Sequence, residues 1–128
     1  MIYTVTLNPA LDYIMYPNNL SVGEINRSAR ESLYFGGKGI NVSFILNELG
    51  ISSVATGFIA GFTGDALENA VSAFAKPDFV RLKKGLTRIN VKLRAENETD
   101  INAAGPEVSK ADINRLFERL EKVRAGDT

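Results

Sequence analysis

Ser53 to Ala60 is an uncharged, β-rich run ended by Gly61, and it stands between two segments whose apolar residues repeat at helical spacing. Such a run marks a core strand, and strands alternating with helices predict an α/β core built on a mainly parallel sheet. The segment Ile2 to Leu7, β-branched and stopped by Asn8-Pro9, predicts a first core strand of the same kind. From Lys38 onward, Val42, Ile45, Leu46 and Leu49 fall at i, i+3, i+4 and i+7, with Gly50 as the stop. This predicts a helix that turns that stripe inward. Leu67, Ala70, Val71 and Phe74 predict a second helix with Thr63 as N-cap, and Pro77 marks the break before a strand around Asp78 to Leu82. In the last helix, Ser109 and Asp112 form a capping box ahead of Ile113, Leu116, Phe117 and Leu120.

Other segments do not fit that core. Ile89, Val91 and Leu93 alternate strictly with Arg88, Asn90, Lys92 and Arg94, which predicts a half-exposed strand with one wet face. Glu98 to Asn102 can pair with it across Ala95-Glu96-Asn97. Between Tyr13 and Phe35 the pattern is irregular, with short strands expected at Glu24 to Ala29 and Glu31 to Tyr34. These pieces are assigned to a separate small sheet. A core of three parallel strands is small for this architecture, and Ala125-Gly126-Asp127-Thr128 is the kind of turn that hands the chain to a further strand. The reading is therefore of a truncated α/β domain.

Charge excludes some functions. Fifteen basic and fifteen acidic side chains balance, so the positive field needed by nucleic acid or an anionic membrane is absent. Without cysteine or histidine, disulfides and thiolate chemistry are excluded, and only Asp and Glu remain as metal ligands or proton acceptors. The N-terminus lacks the pattern of a signal peptide and no apolar run approaches a membrane span, so a cytoplasmic location is expected.

The most specific motif is Phe35-Gly36-Gly37-Lys38-Gly39-Ile40-Asn41, leading straight into a helix. Glycines let backbone approach a ligand, and the first helical N–H groups point at whatever sits there. Lys38 adds a point charge suited to phosphate, and Asn41 can donate to and accept from a hydroxyl. The spacing is neither that of a Walker A loop nor of a dinucleotide fingerprint. Leu7-Asn8-Pro9-Ala10-Leu11-Asp12 places a carboxylate just past the end of the first strand, where open α/β sheets build their ligand crevice. Asp12 suits the vicinal hydroxyls of a sugar. Gly85-Leu86-Thr87-Arg88-Ile89-Asn90 offers the planar fork of Arg88, matched to phosphate, with Asn90 on the same face. Arg27 offers a similar fork. Gly61-Phe62-Thr63-Gly64-Asp65 reads as a structural turn. Taken singly, each of these motifs is as readily a solvated turn or a tight backbone corner as a ligand site.

Their order is more informative. LNPALD, GGKGIN at a helix start, GFTGD, LTRIN and an IN…GPE…S approach to a helix resemble the N-terminal portion of the 1-phosphofructokinase and tagatose-6-phosphate kinase branch of the ribokinase-like (PfkB) sugar kinases. The resemblance spans essentially the whole chain, and Thr87-Arg88-Ile89-Asn90 is the stretch that looks like the phosphosugar branch. It implies a Rossmann-like, ribokinase-type core, partial here, with a small β-sheet lid formed within residues 12–35 and 87–103. By resemblance Asp12, Gly37 and Asn41 hold sugar hydroxyls, while Lys38, Arg88 and Arg27 face the substrate phosphate. The implied reaction moves the γ-phosphoryl of MgATP to a hydroxyl of fructose 1-phosphate or a related ketohexose phosphate. The lid implies a homodimer contact. Two departures stand out: no GAGD-type sequence, which in the family carries the catalytic base and ATP-binding part, occurs in this chain, and Phe74-Ala75-Lys76-Pro77-Asp78 is shorter than its family counterpart. Turnover by residues 1–128 alone is thus not expected. A non-catalytic sugar-phosphate binding module and a kinase of an unphosphorylated sugar stand as alternatives.

Overall fold

A computed structural model describes all 128 residues. Strand β1 (Ile2–Thr6) runs parallel to β4 (Ser53–Ala60), in register from Ile2 opposite Ser53 to Thr6 opposite Gly57. β4 is buried over its whole length, as its uncharged run predicts. Its other edge takes β5 (Lys76–Pro77) beside Val54 and β6 (Val80–Leu82) beside Phe58, both parallel. The strand expected around Asp78 to Leu82 is therefore two short pieces. Asp78 lies between them, its carbonyl accepting from the Thr56 hydroxyl at 2.6 Å.

Alternate residues of β4 feed two cores. Ala55 and Ile59 point toward α1 (Lys38–Glu48) and α2 (Gly61–Val71), packing with Ile40, Leu67, Val71 and Phe79. Phe58 and Ala60 point the other way, against Leu116 of α3 (Lys110–Leu120). Helices thus cover both faces of a parallel sheet, the α/β class expected. After α3, Thr128 lies along β1: its N–H donates to the Met1 carbonyl at 3.0 Å, and its carbonyl accepts from Tyr3 N–H at 2.7 Å.

A second sheet has the order β3-β2-β7-β8, from Ser28–Gly36, Ala10–Pro17, Arg88–Arg94 and Glu98–Ile101. β2 is antiparallel to β3 and parallel to β7, and β8 returns antiparallel along β7. This corrects two expectations. Ala10 to Pro17, where no strand was expected, is a strand, and Asp12, past the end of β1 as expected, lies within it. Its charge interrupts an otherwise apolar stretch and hides the β signal. Glu24 to Ala29 is not a strand either, because the Asn26 side chain closes a turn on both backbone groups of Ser21 at 2.8 Å, and β3 begins only at Ser28.

The helix faces also differ from the periodicity. In α1 the predicted stripe is largely outside: Ile45 is 56% exposed and Leu49 68%, while Ile40 and Ser43 are buried. The sheet opposite presents hydroxyls, and Ser43 Oγ meets Thr4 Oγ1 at 2.7 Å and Ser53 Oγ at 2.9 Å. A helix docked on hydroxyls selects serine and glycine for its inner face, which hydrophobic periodicity does not register. α2 buries Leu67 and Val71 as predicted, but it starts at Gly61, so Thr63 is not its N-cap. α3 has the predicted Ser109–Asp112 capping box and buries Leu116, whereas Phe117 is 62% exposed.

Candidate functional site

The site is assembled where the two sheets join. Thr87, buried, is the joint: its Oγ1 accepts from Ala60 N–H and its own N–H donates to Ala60 O, each at 2.9 Å. Thr63 Oγ1 donates to Thr87 O at 2.8 Å. The Gly61–Asp65 turn therefore ties the end of β4 to the start of β7, which aims Arg88 and Asn90. Thr63 acts here by gripping the segment that leads into β7.

Gly37 precedes α1 with φ 142°, a conformation that suits glycine, and a Cβ there would overlap the Thr6 methyl group. The first N–H groups of a helix lack intrahelical acceptors. Here Thr6 Oγ1 accepts from Ile40 N–H at 3.1 Å, while Asn41 N–H donates to Gly37 O at 2.9 Å. The N–H groups of Lys38 and Gly39 remain at the helix start, beside the exposed Lys38 side chain.

Asp12 and Asn90 are directly opposite in the β2–β7 register, and Asn90 Nδ2 donates to Asp12 Oδ1 at 2.8 Å. Asp12 Oδ2 and Asn41 Oδ1 lie 3.6 and 4.0 Å from where a Cβ of Gly36 would stand, so the carboxylate and the amide converge over that glycine. A cavity of about 500 Å³ opens there, lined by Asp12, Tyr34, Gly36, Gly37, Asn41 and Phe44 among others. Three of the expected site positions, Asp12, Gly37 and Asn41, line this one cavity; Lys38 follows Gly37 at the helix start but does not line it.

Arg88 stands opposite Ala10, two residues along the strand from the Asp12–Asn90 pair. It lines a neighbouring depression with Leu86, Ile89, Ala103 and Gly105. Its Nη1 reaches the Ala103 carbonyl only at 3.5 Å, and its Nε is enclosed without a partner. Asn8 Nδ2 holds the same segment through the Ala104 carbonyl at 2.9 Å. Neither Lys38 nor Arg88 belongs to an ion pair of the molecule. Arg27 is not brought to the site. It precedes the nine-residue strand β3, whose far end carries Gly36, a separation of about 30 Å in extended chain.

Sequence reasoning did not single out Thr6 or Thr87, and it noted Asn90 only as a neighbour of Arg88. The alternation of Arg88–Arg94 predicts Asn90 on the wet face, yet Asn90 is 6% exposed and Ile89 is the open one, so no sequence signal marked it. A second cavity, about 440 Å³, lies between Lys83-Lys84 and the start of α3. Three of its polar side chains are engaged, Ser109 and Asp112 in capping the helix and Arg115 in bonds to Asp112 at 3.2 Å and the Arg81 carbonyl at 3.0 Å, while Lys83, Lys84 and Glu107 also line it. No helix of the molecule is long and apolar enough to cross a membrane.

Comparison with known proteins adds to this geometry. The model of the pfkB family carbohydrate kinases matches residues 5–127. The chain is 44% identical over 133 residues to the 1-phosphofructokinase of Bacillus subtilis, covering 99% of this chain and 42% of that protein. It is 35% identical over 127 residues to the D-tagatose-1-phosphate kinase of Bacillus licheniformis, covering 98% and 41%. A solved structure from Staphylococcus aureus, assigned as a phosphofructokinase, superposes with a TM-score of 0.93 at 37% identity, covering 99% of this chain and 42% of that one. The chain thus spans about two-fifths of the length of these relatives.

Proposed function

Because this chain belongs to the pfkB family of carbohydrate kinases, we propose that it supplies the sugar-phosphate side of an enzyme that moves the γ-phosphoryl of ATP to a hydroxyl of a ketohexose 1-phosphate. The observation that carries the reading is the convergence of the Asp12 carboxylate and the Asn41 amide over Gly36. A carboxylate and an amide facing one small cavity suit a polyol, because each hydroxyl both donates and accepts. Lys38 and Arg88, cations outside every ion pair, supply complementary charge for a phosphate at one end of that polyol. Both curated relatives above are named for a ketohexose phosphorylated at position 1. That favours fructose 1-phosphate over the 6-phosphate of tagatose.

Catalysis of phosphoryl transfer rests on positioning and on electrostatic stabilisation of the moving group. Of the acids, only Asp12 lines the cavity, and Asn90 already holds it. No group of three or more His, Cys, Asp or Glu is placed to hold a metal ion, so no residue here is assigned to Mg²⁺. In this reading residues 1–128 bind and orient the acceptor, and turnover is not expected of them alone. The second sheet acts as a lid over the sugar. Its half-open apolar face, with Tyr13, Leu33, Ile89 and Ile101, offers a homodimer contact.

Calorimetric titration with fructose 1-phosphate, fructose and MgATP tests the proposal. Binding of the phosphosugar, with fructose bound far more weakly and no nucleotide bound, is the expected result. Equal affinity for fructose and its 1-phosphate would remove the phosphosugar reading.

A further inference from the structure

Asn8 stands in the link between β1 and β2, just before the buried Pro9. An asparagine in a turn ordinarily bonds its own backbone. The Asn8 amide instead reaches across 96 positions of sequence and donates to the Ala104 carbonyl at 2.9 Å, in the link between β8 and α3. The next residue is shaped to the same contact. Gly105 has φ 89°, and a Cβ there would overlap Asn8 Oδ1. Backbone conformation and the amide lying against it both require glycine at this position. Pro106 lies in turn against Gly85, in the link between β6 and β7. Three connections between the core and the second sheet thus form one chain of contacts, with Asn8 at its end.

Those contacts border Arg88. The depression beside it is lined by Leu86 and Ile89 of its own segment and by Ala103 and Gly105 of the other. The two consecutive carbonyls of that second segment have different donors: Ala104 takes the Asn8 amide, and Ala103 faces Arg88 Nη1 at 3.5 Å. A bond at the limit of hydrogen-bonding distance leaves the guanidinium available to an anion. We propose that Asn8 is a positioning residue for Arg88: by holding Ala104 it keeps residues 103–105 in place beside the guanidinium, and so sets the fork that faces the substrate phosphate. Asn8 itself lines neither cavity of the site. The proposal rests on the phosphosugar reading and deepens it. Without the Asn8 donor, the Ala104 carbonyl becomes a second acceptor for Arg88, and a fork bonded to backbone is withdrawn from the phosphate.

The test is a double-mutant cycle, with fructose 1-phosphate and fructose titrated calorimetrically into the unmodified chain, Asn8→Ala, Arg88→Ala and the double variant. Asn8→Ala is expected to weaken fructose 1-phosphate about fivefold, the scale of one hydrogen bond, and to leave fructose within about twofold. In the Arg88→Ala background the same substitution should change neither affinity, because a residue that acts through Arg88 has nothing left to position. A merely structural residue would keep its effect there. Equal weakening of both ligands, an undiminished effect without Arg88, or no effect at all overturns the inference while leaving phosphosugar binding intact. Failure of the unmodified chain to bind fructose 1-phosphate overturns both. Asn8→Leu is the second variant, since it keeps the volume lying against Gly105 and removes the donor. It should reproduce Asn8→Ala, and full affinity for fructose 1-phosphate in Asn8→Leu would show that the hydrogen bond does not set Arg88.

Discussion

Thr6 Oγ1 accepts the backbone N–H of Ile40 at 3.1 Å, across 34 positions of sequence. A residue of β1 thus provides the cap that α1 lacks locally, since its N-cap position is Gly37 with no side-chain bond. The helix start that carries Lys38 is pinned to the core sheet, not to its own loop. Thr6→Val keeps the shape and removes the acceptor, so a loss of about 1 kcal/mol is expected, as for other N-caps. Thr6→Ser restores most of it. Urea midpoints of the variants check this, and a Thr6→Val chain as stable as the original would show that the bond contributes nothing.

Gly57 sits opposite Thr6 in the β1–β4 register with φ 146°, and a Cβ there would overlap the Thr6 carbonyl oxygen. Backbone cannot yield as a flexible side chain can. Gly57→Ala is expected to destabilise the chain by roughly 3 kcal/mol, combining overpacking with backbone strain. Thermal or urea unfolding of the variant gives the answer, and a cost within experimental error would contradict the packing described.

Arg88→Ala is expected to weaken fructose 1-phosphate binding by roughly 1.5–3 kcal/mol, the scale of one charge-assisted hydrogen bond. Affinity for fructose itself should not change. If Arg88→Ala weakens both sugars alike, Arg88 shapes the site and does not read the phosphate.

Acid stability has a defined sign. Hydrogen bonds from Arg94 and then Lys92 hold the Asp100 carboxyl below the ordinary aspartate value of 3.8. The N-terminal ammonium and Arg124 N–H do the same for Asp127, and the Ser109 hydroxyl and N–H do so for Asp112. A carboxyl more acidic in the folded than in the unfolded chain contributes stability above its unfolded value and loses it as pH falls through the folded one. Stability should therefore be level near neutrality and decline from about pH 4 downward. Asp100→Asn should lower the urea midpoint at pH 6 and flatten the decline below pH 4.

α1 leaves Val42 and Ile45 largely open, with Leu49 just past its end, and on the opposite face of the sheet α3 leaves Phe117 open. Concentration-dependent self-association is expected on size exclusion. Ile45→Glu and Phe117→Glu should each reduce it without lowering stability, because neither side chain packs in a core. A monomer at all concentrations would contradict this.

Much of the fold and part of the site follow from local sequence. The uncharged run of β4, the β-branched run of β1 and the capping box of α3 are local statements about burial and backbone hydrogen bonds, and each lies where those preferences place it. The helix entry at Gly37-Lys38 was legible for the same reason, since a glycine-rich turn opening a helix is a feature of a few adjacent residues. What the tertiary structure alone decided is which polar groups meet. Asp12 meets Asn90 across 78 positions, Thr6 caps a helix it does not border, and Thr87 joins two sheets. Hydrogen bonds between distant segments leave no periodicity behind. A buried serine, threonine or asparagine therefore looks, in sequence, the same as one in solvent. The exposed stripe of α1 is the converse case: the helix was predicted correctly, but the hydroxyl-lined sheet chose which of its faces to bury.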